Sequence, residues 1–255
     1  MEYLSVFKRI KALFETTTRP VFVIGTGRSG THWLGYSLGD HTEVFATIEE
    51  QPMFGFSTQI ALDPSLKTSL FTKLTTSYEE QISNTTRQVY LDKSHPNIWI
   101  TEPLKAKFPN ALFIGIERNP YATIASMLKH KGVLSWHDRW QEFPIPNRFL
   151  GITEKHADNY DDIPIENKCA MRWLAHHNEM TRLKGILGTD LFVMSYESFA
   201  HNTEKEIIKL QNFLRLNKPI PVPEVRKESL DKWQKQLSKE QLANIEEVVG
   251  ISPNY

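Results

Sequence analysis

The segment Val21-Phe22-Val23-Ile24-Gly25-Thr26-Gly27-Arg28-Ser29-Gly30-Thr31 leads an apolar run into a glycine loop that carries one arginine and several hydroxyls. A strand ending in such a loop, with a helical pattern after it, gathers backbone N–H groups and the positive end of a helix around an anion. The residues therefore point to phosphate binding, and their spacing supports three kinds of chemistry. As Gly25-x-Gly27-x-x-Gly30 with Glu43, Glu49 or Glu50 downstream, the loop fits the dinucleotide fingerprint of an oxidoreductase. As Gly25-x-x-x-x-Gly30 it has Walker A spacing. Thr31 and His32, however, stand where the phosphate-binding Lys and the magnesium-binding Ser or Thr belong, which argues against an ATP or GTP kinase. The third reading keeps the loop, moves the positive charge to Arg28 and drops the metal ligand. It suits a transferred group less charged than a γ-phosphoryl group.

The elements that must position this loop can be read from the same pattern. Apolar runs at 21–24, 44–47, 89–91, 111–116 and 191–194 read as strands, and helical spacing covers 30–38, 120–130, 166–187, 203–215 and 238–249. Strands alternating with helices predict a three-layer α/β/α fold with a mostly parallel sheet and ligands at the strands' C-terminal ends. With 255 residues, 40% hydrophobic and 24% charged, one domain spanning 1–255 is expected. Residues 52–88 look like a turn-rich insertion with some helix. Leu4, Phe7, Ile10 and Phe14 predict an amphipathic helix within 1–19, to be packed across the sheet edge rather than laid on lipid. Thirty basic residues balance thirty acidic ones, so no global field gathers nucleic acid or an acidic membrane. A single cysteine, Cys169, excludes an internal disulfide and a Cys-rich metal site, and fits a reducing, cytoplasmic setting. No run reaches the roughly 18 apolar residues of a membrane span, and the N-terminus lacks the pattern of a signal peptide.

Gly27-Arg28-Ser29-Gly30-Thr31-His32-Trp33 resembles the 5′-phosphosulfate loop of sulfotransferases that use 3′-phosphoadenosine 5′-phosphosulfate (PAPS) on a modified P-loop kinase-like fold. Phe113 to Pro120, followed by Tyr121 to Ser126, is similar to that family's strand-Arg-x-Pro-helix segment, and the resemblance implies that Arg118 and Ser126 hold the donor's 3′-phosphate. Arg118 can leave a strand tip as a planar fork, and Pro120 suits a first helical turn. Ser195 to Phe199 and Glu228 to Glu246 extend the likeness, which is closer to bacterial and Golgi-type members than to cytosolic ones. Two departures stand out: His32 replaces the usual Thr, and Ala122 stands where Asp is frequent. Trp33 resembles the tryptophan that stacks on adenine, and equally an ordinary core aromatic.

The resemblance implies transfer of a sulfuryl group to a hydroxyl or amine acceptor, with adenosine 3′,5′-bisphosphate (PAP) leaving and no metal. Such a step depends on alignment and charge stabilisation. It implies Arg28 at the leaving 5′-phosphate and Lys93 bridging donor and transition state. Two residues compete for the general base. Glu49 follows Arg28 as the catalytic glutamate of Golgi-type and many bacterial members does, and burial is expected to raise its pKa. His95 follows Lys93 like the histidine of the cytosolic Lys-Thr-His segment. The pattern favours Glu49, with His95 next and Glu50 third. The alternatives are a P-loop kinase or NTPase, a dinucleotide oxidoreductase and a catalytically inactive nucleotide-binding module. His176, His177, Glu179 and His201 read as surface residues rather than a metal site, since adjacent helical histidines diverge by about 100°. Trp173 reads as core. The aromatic stretch Trp136 to Phe149, within a second insertion at 131–165, reads either as an acceptor wall or as a satellite hydrophobic cluster.

Overall fold

The computed structural model describes residues 18–224 and 227–253. Five strands, β1 (Arg19–Gly25), β2 (Val44–Ile48), β3 (Val89–Lys93), β4 (Leu112–Glu117) and β5 (Leu191–Ser195), form one sheet of order β2-β3-β1-β4-β5. All neighbouring strands run parallel, with Val21 opposite both Leu91 and Leu112. The helices that cover and extend it are α1 (Thr31–Gly39), α2 (Met53–Leu62), α3 (Lys67–Asn84), α4 (Thr101–Lys107), α5 (Pro120–Met127), α6 (Lys131–Asp138), α7 (Ile165–Leu187), α8 (Tyr196–His201), α9 (Thr203–Leu214) and α10 (Lys239–Val249).

The alternation of side chains along β1 builds the three layers. Val21 and Val23 pack under α1, α8 and α9 through Leu34, Leu38, Phe199 and Leu210. Phe22 and Ile24 pack on the other face against Ile60 of α2, Tyr78 of α3, Leu104 of α4 and Leu183 of α7. A strand enclosed on both faces reads as a continuous apolar run, which is why this one was legible. The connection leaving β1 leads to one edge of the sheet and the connection leaving β4 leads to the other. Adjacent strands whose connections diverge leave a crevice at their C-terminal ends. Arg28 follows β1 there, and Arg118 follows β4.

Several expectations need adjustment. Residues 52–88 are mainly two helices, α2 and α3, that make the crossover from β2 to β3; Leu70, Leu74 and Tyr78 lie four apart and turn one stripe toward the sheet. The helix expected over 120–130 ends at Met127, because His130 caps a separate helix by accepting from Val133 N–H. The segment with Leu4, Phe7, Ile10 and Phe14 lies outside the described residues, while Arg19 belongs to β1. Trp173 is a core residue, 5% exposed. His176 and Glu179 are not surface residues, as they are 1% and 3% exposed. His176 Nδ1 donates to Arg172 O and its Nε2 accepts from the Trp99 indole N–H, and Glu179 pairs with Arg148 and Arg182. The sequence signal for their burial is weak because each is polar and takes one of its partners from outside the helix, Trp99 for His176 and Arg148 for Glu179.

Candidate active site

The glycine loop adopts the backbone that an anion site needs. Gly30 precedes α1 at φ 96°, and a Cβ there would lie 2.6 Å from the Tyr196 ring, so both conformation and space require glycine. No described side chain caps α1, which leaves first-turn N–H groups facing the loop. Ser29 is 1% exposed and its hydroxyl has no partner among the described residues, as suits a group awaiting an acceptor oxygen. Arg28 is held at φ 78° and Glu49 at φ 52°, two of the three described non-glycine residues with positive φ. Such backbone costs on the order of 1 kcal/mol each and collects at functional sites.

Arg28 and Arg118 line one cleft of about 330 Å³ with Ser126, Lys129, His130 and Lys232, and no carboxylate contributes to its lining. Arg28 Nε donates to Ser126 Oγ at 3.1 Å. Arg118 donates to Arg28 O at 3.3 Å and to Ser229 O at 2.7 Å, and its guanidinium lies 4.4 Å from the centre of the Tyr196 ring. Its Nε is buried without a partner among the described residues. Asn119 caps α5 by accepting from Ala122 N–H, with Pro120 at the first helical position as expected. Trp33 packs edge-on against Phe199, 4.7 Å between ring centres, and donates to Glu224 O.

A second cluster stands beside the loop, where β2 and β3 end. Glu49 receives the Lys93 ammonium and His95 Nδ1 on Oε1, the latter at 3.1 Å, and His32 Nε2 at 3.3 Å on Oε2. Burial alone would raise the Glu49 pKa, but the hydrogen bonds from His32 and His95 and the charge of Lys93 prevail and hold it well below the ordinary range. The expected upward shift is therefore reversed: sequence shows the enclosure of a carboxylate but not its three donors. Lys93 is fully enclosed, and burial lowers its pKa although Glu49 opposes the shift. Burial likewise lowers His95 to about 4, so its imidazole is neutral. Its Nδ1 hydrogen points at Glu49, and Nε2 has no partner among the described residues. A Cβ on Gly27 would lie 3.2 Å from that Nε2, which ties the loop to the cluster. Glu50 is exposed.

Several contributors escaped the sequence reading. Lys129, His130 and Lys232 enter the cleft, and the run Lys129-His130-Lys131 was a signal for part of this. Asp92, fully buried, anchors the end of β3 by accepting from Tyr78, Thr47, Asn97 and Ser94 at 2.9 to 3.3 Å. Burial still pushes its carboxyl up to about 6 against those bonds. An aspartate inside an apolar strand next to Lys93 was the available clue. The aromatic stretch forms a satellite core of Trp140, Phe149, Leu150 and Tyr160, while Trp136 and Phe149 also come within 6.4 and 6.3 Å of the His95 ring. Among the described residues no group of three or more His, Cys, Asp or Glu side chains is arranged to hold a metal ion, and no helix is long and apolar enough to cross a membrane.

A parallel α/β sheet with a glycine loop after its central strand and cations gathered at the switch point is the arrangement of an α/β nucleotide-binding fold. A family model described as the sulfotransferase family matches residues 20–219, and the chain belongs to that family. No curated protein matches by sequence. Among solved structures, the sulfotransferase from Alicyclobacillus acidocaldarius is similar at 14% identity and a TM-score of 0.54, over 92% of this chain and 98% of that one. The sulfotransferase domain from the curacin biosynthetic pathway gives 15% and 0.57, over 92% and 99%. The sulfotransferase domain from the Synechococcus PCC 7002 olefin synthase gives 15% and 0.54, over 93% and 97%. At these identities the likeness is one of fold.

Proposed function

We propose that the protein moves the sulfuryl group of PAPS to a hydroxyl or amine acceptor by in-line displacement, without a metal. The observation that carries this reading is the meeting of Arg28 and Arg118 in one cleft free of carboxylates. An adenosine phosphorylated at both the 3′ and 5′ positions needs two cationic grips, and charge-assisted forks supply them. The missing Walker lysine at Thr31 speaks against a nucleoside triphosphate in the same loop.

In this reading the loop N–H groups, Ser29 and Arg28 hold the 5′-phosphosulfate, while Arg118 and Ser126 hold the 3′-phosphate. The acceptor oxygen forms its bond to sulfur as the bond from sulfur to the bridging phosphate oxygen breaks. PAP leaves with the electron pair, and the acceptor's proton passes to Glu49. Lys93 turns from Glu49 to the leaving oxygen. The carboxylate loses its nearest cation at that moment and becomes a stronger base. Glu49, with a side chain 21% exposed against 7% for His95, is the group an acceptor reaches more easily, and His95 aims it. Segments 52–88 and 131–165 supply the acceptor side of the domain, a role supported by Phe54, Trp136 and Phe149 around the His95 ring. The lone buried Cys169 is at home in a reducing cytoplasm. A thermal-shift screen with PAP, ATP with magnesium, and NAD tests the donor, followed by radiolabelled PAPS with hydroxyl acceptors. Stabilisation by PAP and metal-independent label transfer are expected. Selective stabilisation by ATP or NAD would overturn the reading.

A further inference from the structure

We propose that His130 is a further donor-binding residue, whose Nε2 hydrogen meets the nucleotide's 3′-phosphate while its Nδ1 caps the helix that carries Trp136. This rests on the sulfuryl-transfer reading and adds a side chain to which the family resemblance assigns no role. His130 lines the carboxylate-free cleft with Arg28, Arg118, Ser126 and Lys129. The Val133 N–H is shared between His130 O at 2.9 Å and His130 Nδ1 at 3.2 Å. A backbone N–H only donates, so Nδ1 is a bare acceptor. Burial and the nearby Arg28 charge lower the His130 pKa, and the neutral ring then carries its one hydrogen on Nε2. That N–H has no hydrogen-bond partner among the described residues.

The local fold sets this placement without any ligand. The chain leaves α5 at Met127 and turns, with His130 N–H donating to Met127 O at 2.9 Å, so His130 comes back beside the cleft that Ser126 lines. As the N-cap of α6 its backbone is extended, at φ −105° and ψ 102°. A Cβ on Gly132 would lie 3.2 Å from His130 Cε1, so the ring sits tight against the first turn of α6. A neutral imidazole also suits this cleft chemically. Arg28, Arg118, Lys129 and Lys232 already crowd positive charge there, and a further cation would add repulsion before any nucleotide arrives. An imidazole N–H supplies a donor without that charge. Farther along α6, Trp136 comes within 6.4 Å of the His95 ring. One residue thus ties the donor cleft to the wall beside the candidate bases.

Asparagine matches the reach of Nδ1 and glutamine that of Nε2, so two variants of the full chain separate the two roles. His130→Asn should keep the cap and melt within about 2 °C of wild type, because asparagine is a favoured N-cap. Calorimetric titration should show its preference for PAP over adenosine 5′-phosphate narrowed by about 10-fold, the loss of one hydrogen bond to a charged group. Arg118 still grips the phosphate in that variant, so part of the preference survives; without Arg118 no phosphate is kept within reach of His130. His130→Gln should forfeit the cap and melt below His130→Asn, yet retain most of the preference. Histidine-selective nitrogen-15 NMR of wild type needs no variant to bind: PAP should shift the His130 Nε2 signal, assigned by its loss in His130→Asn, and adenosine 5′-phosphate should leave it nearly in place. An unchanged preference in His130→Asn, an equal loss of affinity for both nucleotides, the same narrowing in both variants, the reverse order of melting, or a signal blind to PAP would overturn the assignment and leave the sulfuryl-transfer reading standing. Wild-type protein that binds no PAP would overturn both.

Discussion

Acid should destabilise the fold steeply between about pH 6 and pH 4, with three buried histidines setting the slope. His95, His137 and His176 are 6%, 2% and 1% exposed. Burial holds all three neutral: His95 falls to about 4, His137 to about 3, and His176 well below its ordinary value. An unfolded histidine titrates near about 6.5, so at about pH 5 the unfolded chain carries roughly three more protons on these residues than the native one. Asp92 acts in the opposite sense, since burial lifts its carboxyl from 3.8 to about 6 and native Asp92 is mostly protonated at that pH. The net uptake on unfolding is about two protons, and at about 1.4 kcal/mol per proton per pH unit the stability should fall by about 3 kcal/mol per pH unit. Depressed native pKa values stabilise fully above the unfolded value and lose that contribution as pH falls, so the sign is a loss on acidification. Glu49, depressed likewise, adds to it below about pH 4.5. Urea denaturation at several pH values measures the slope, and His137→Gln should reduce it by about 1.4 kcal/mol per pH unit. Stability that stays flat or rises across this window would refute the reasoning.

Two substitutions separate the candidate bases: Glu49→Gln should lower turnover by about 100-fold or more while sparing PAP binding, and His95→Asn should cost less because it only misaims the carboxylate. The reverse order in a steady-state assay would transfer the role to His95. Gly30→Ala should lower stability by more than about 1 kcal/mol and weaken PAP binding, since it strains a positive φ and collides with the Tyr196 ring. A thermal melt and a titration that match wild type would contradict that account of the loop.

The strands were legible because they are buried on both faces, which leaves unbroken apolar runs such as Val21 to Ile24. The glycine loop was legible because its backbone demands restrict the residues allowed, and Arg118 stood out because the segment around it resembles that of a known family. What the chain concealed depends on distant partners. The pKa of Glu49 is set by His32, Lys93 and His95, which arrive from α1, the end of β3 and the turn after it. The burial of Asp92 is tolerated only because Tyr78, fourteen residues away on α3, and Thr47 of β2 donate to it. The helices within 52–88 are polar on their outer faces, and their apolar stripe becomes decisive only against Phe22 and Tyr90 of the sheet.

Calorimetric titration with PAP and with adenosine 5′-phosphate, in wild type, Arg28→Ala and Arg118→Ala, probes most directly whether the two arginines clasp one nucleotide. Wild type should prefer PAP by about 100-fold, the magnitude of one or two charge-assisted hydrogen bonds to the 3′-phosphate. Arg118→Ala should abolish that preference, whereas Arg28→Ala should weaken both ligands and preserve it. An unchanged preference in Arg118→Ala would contradict the account.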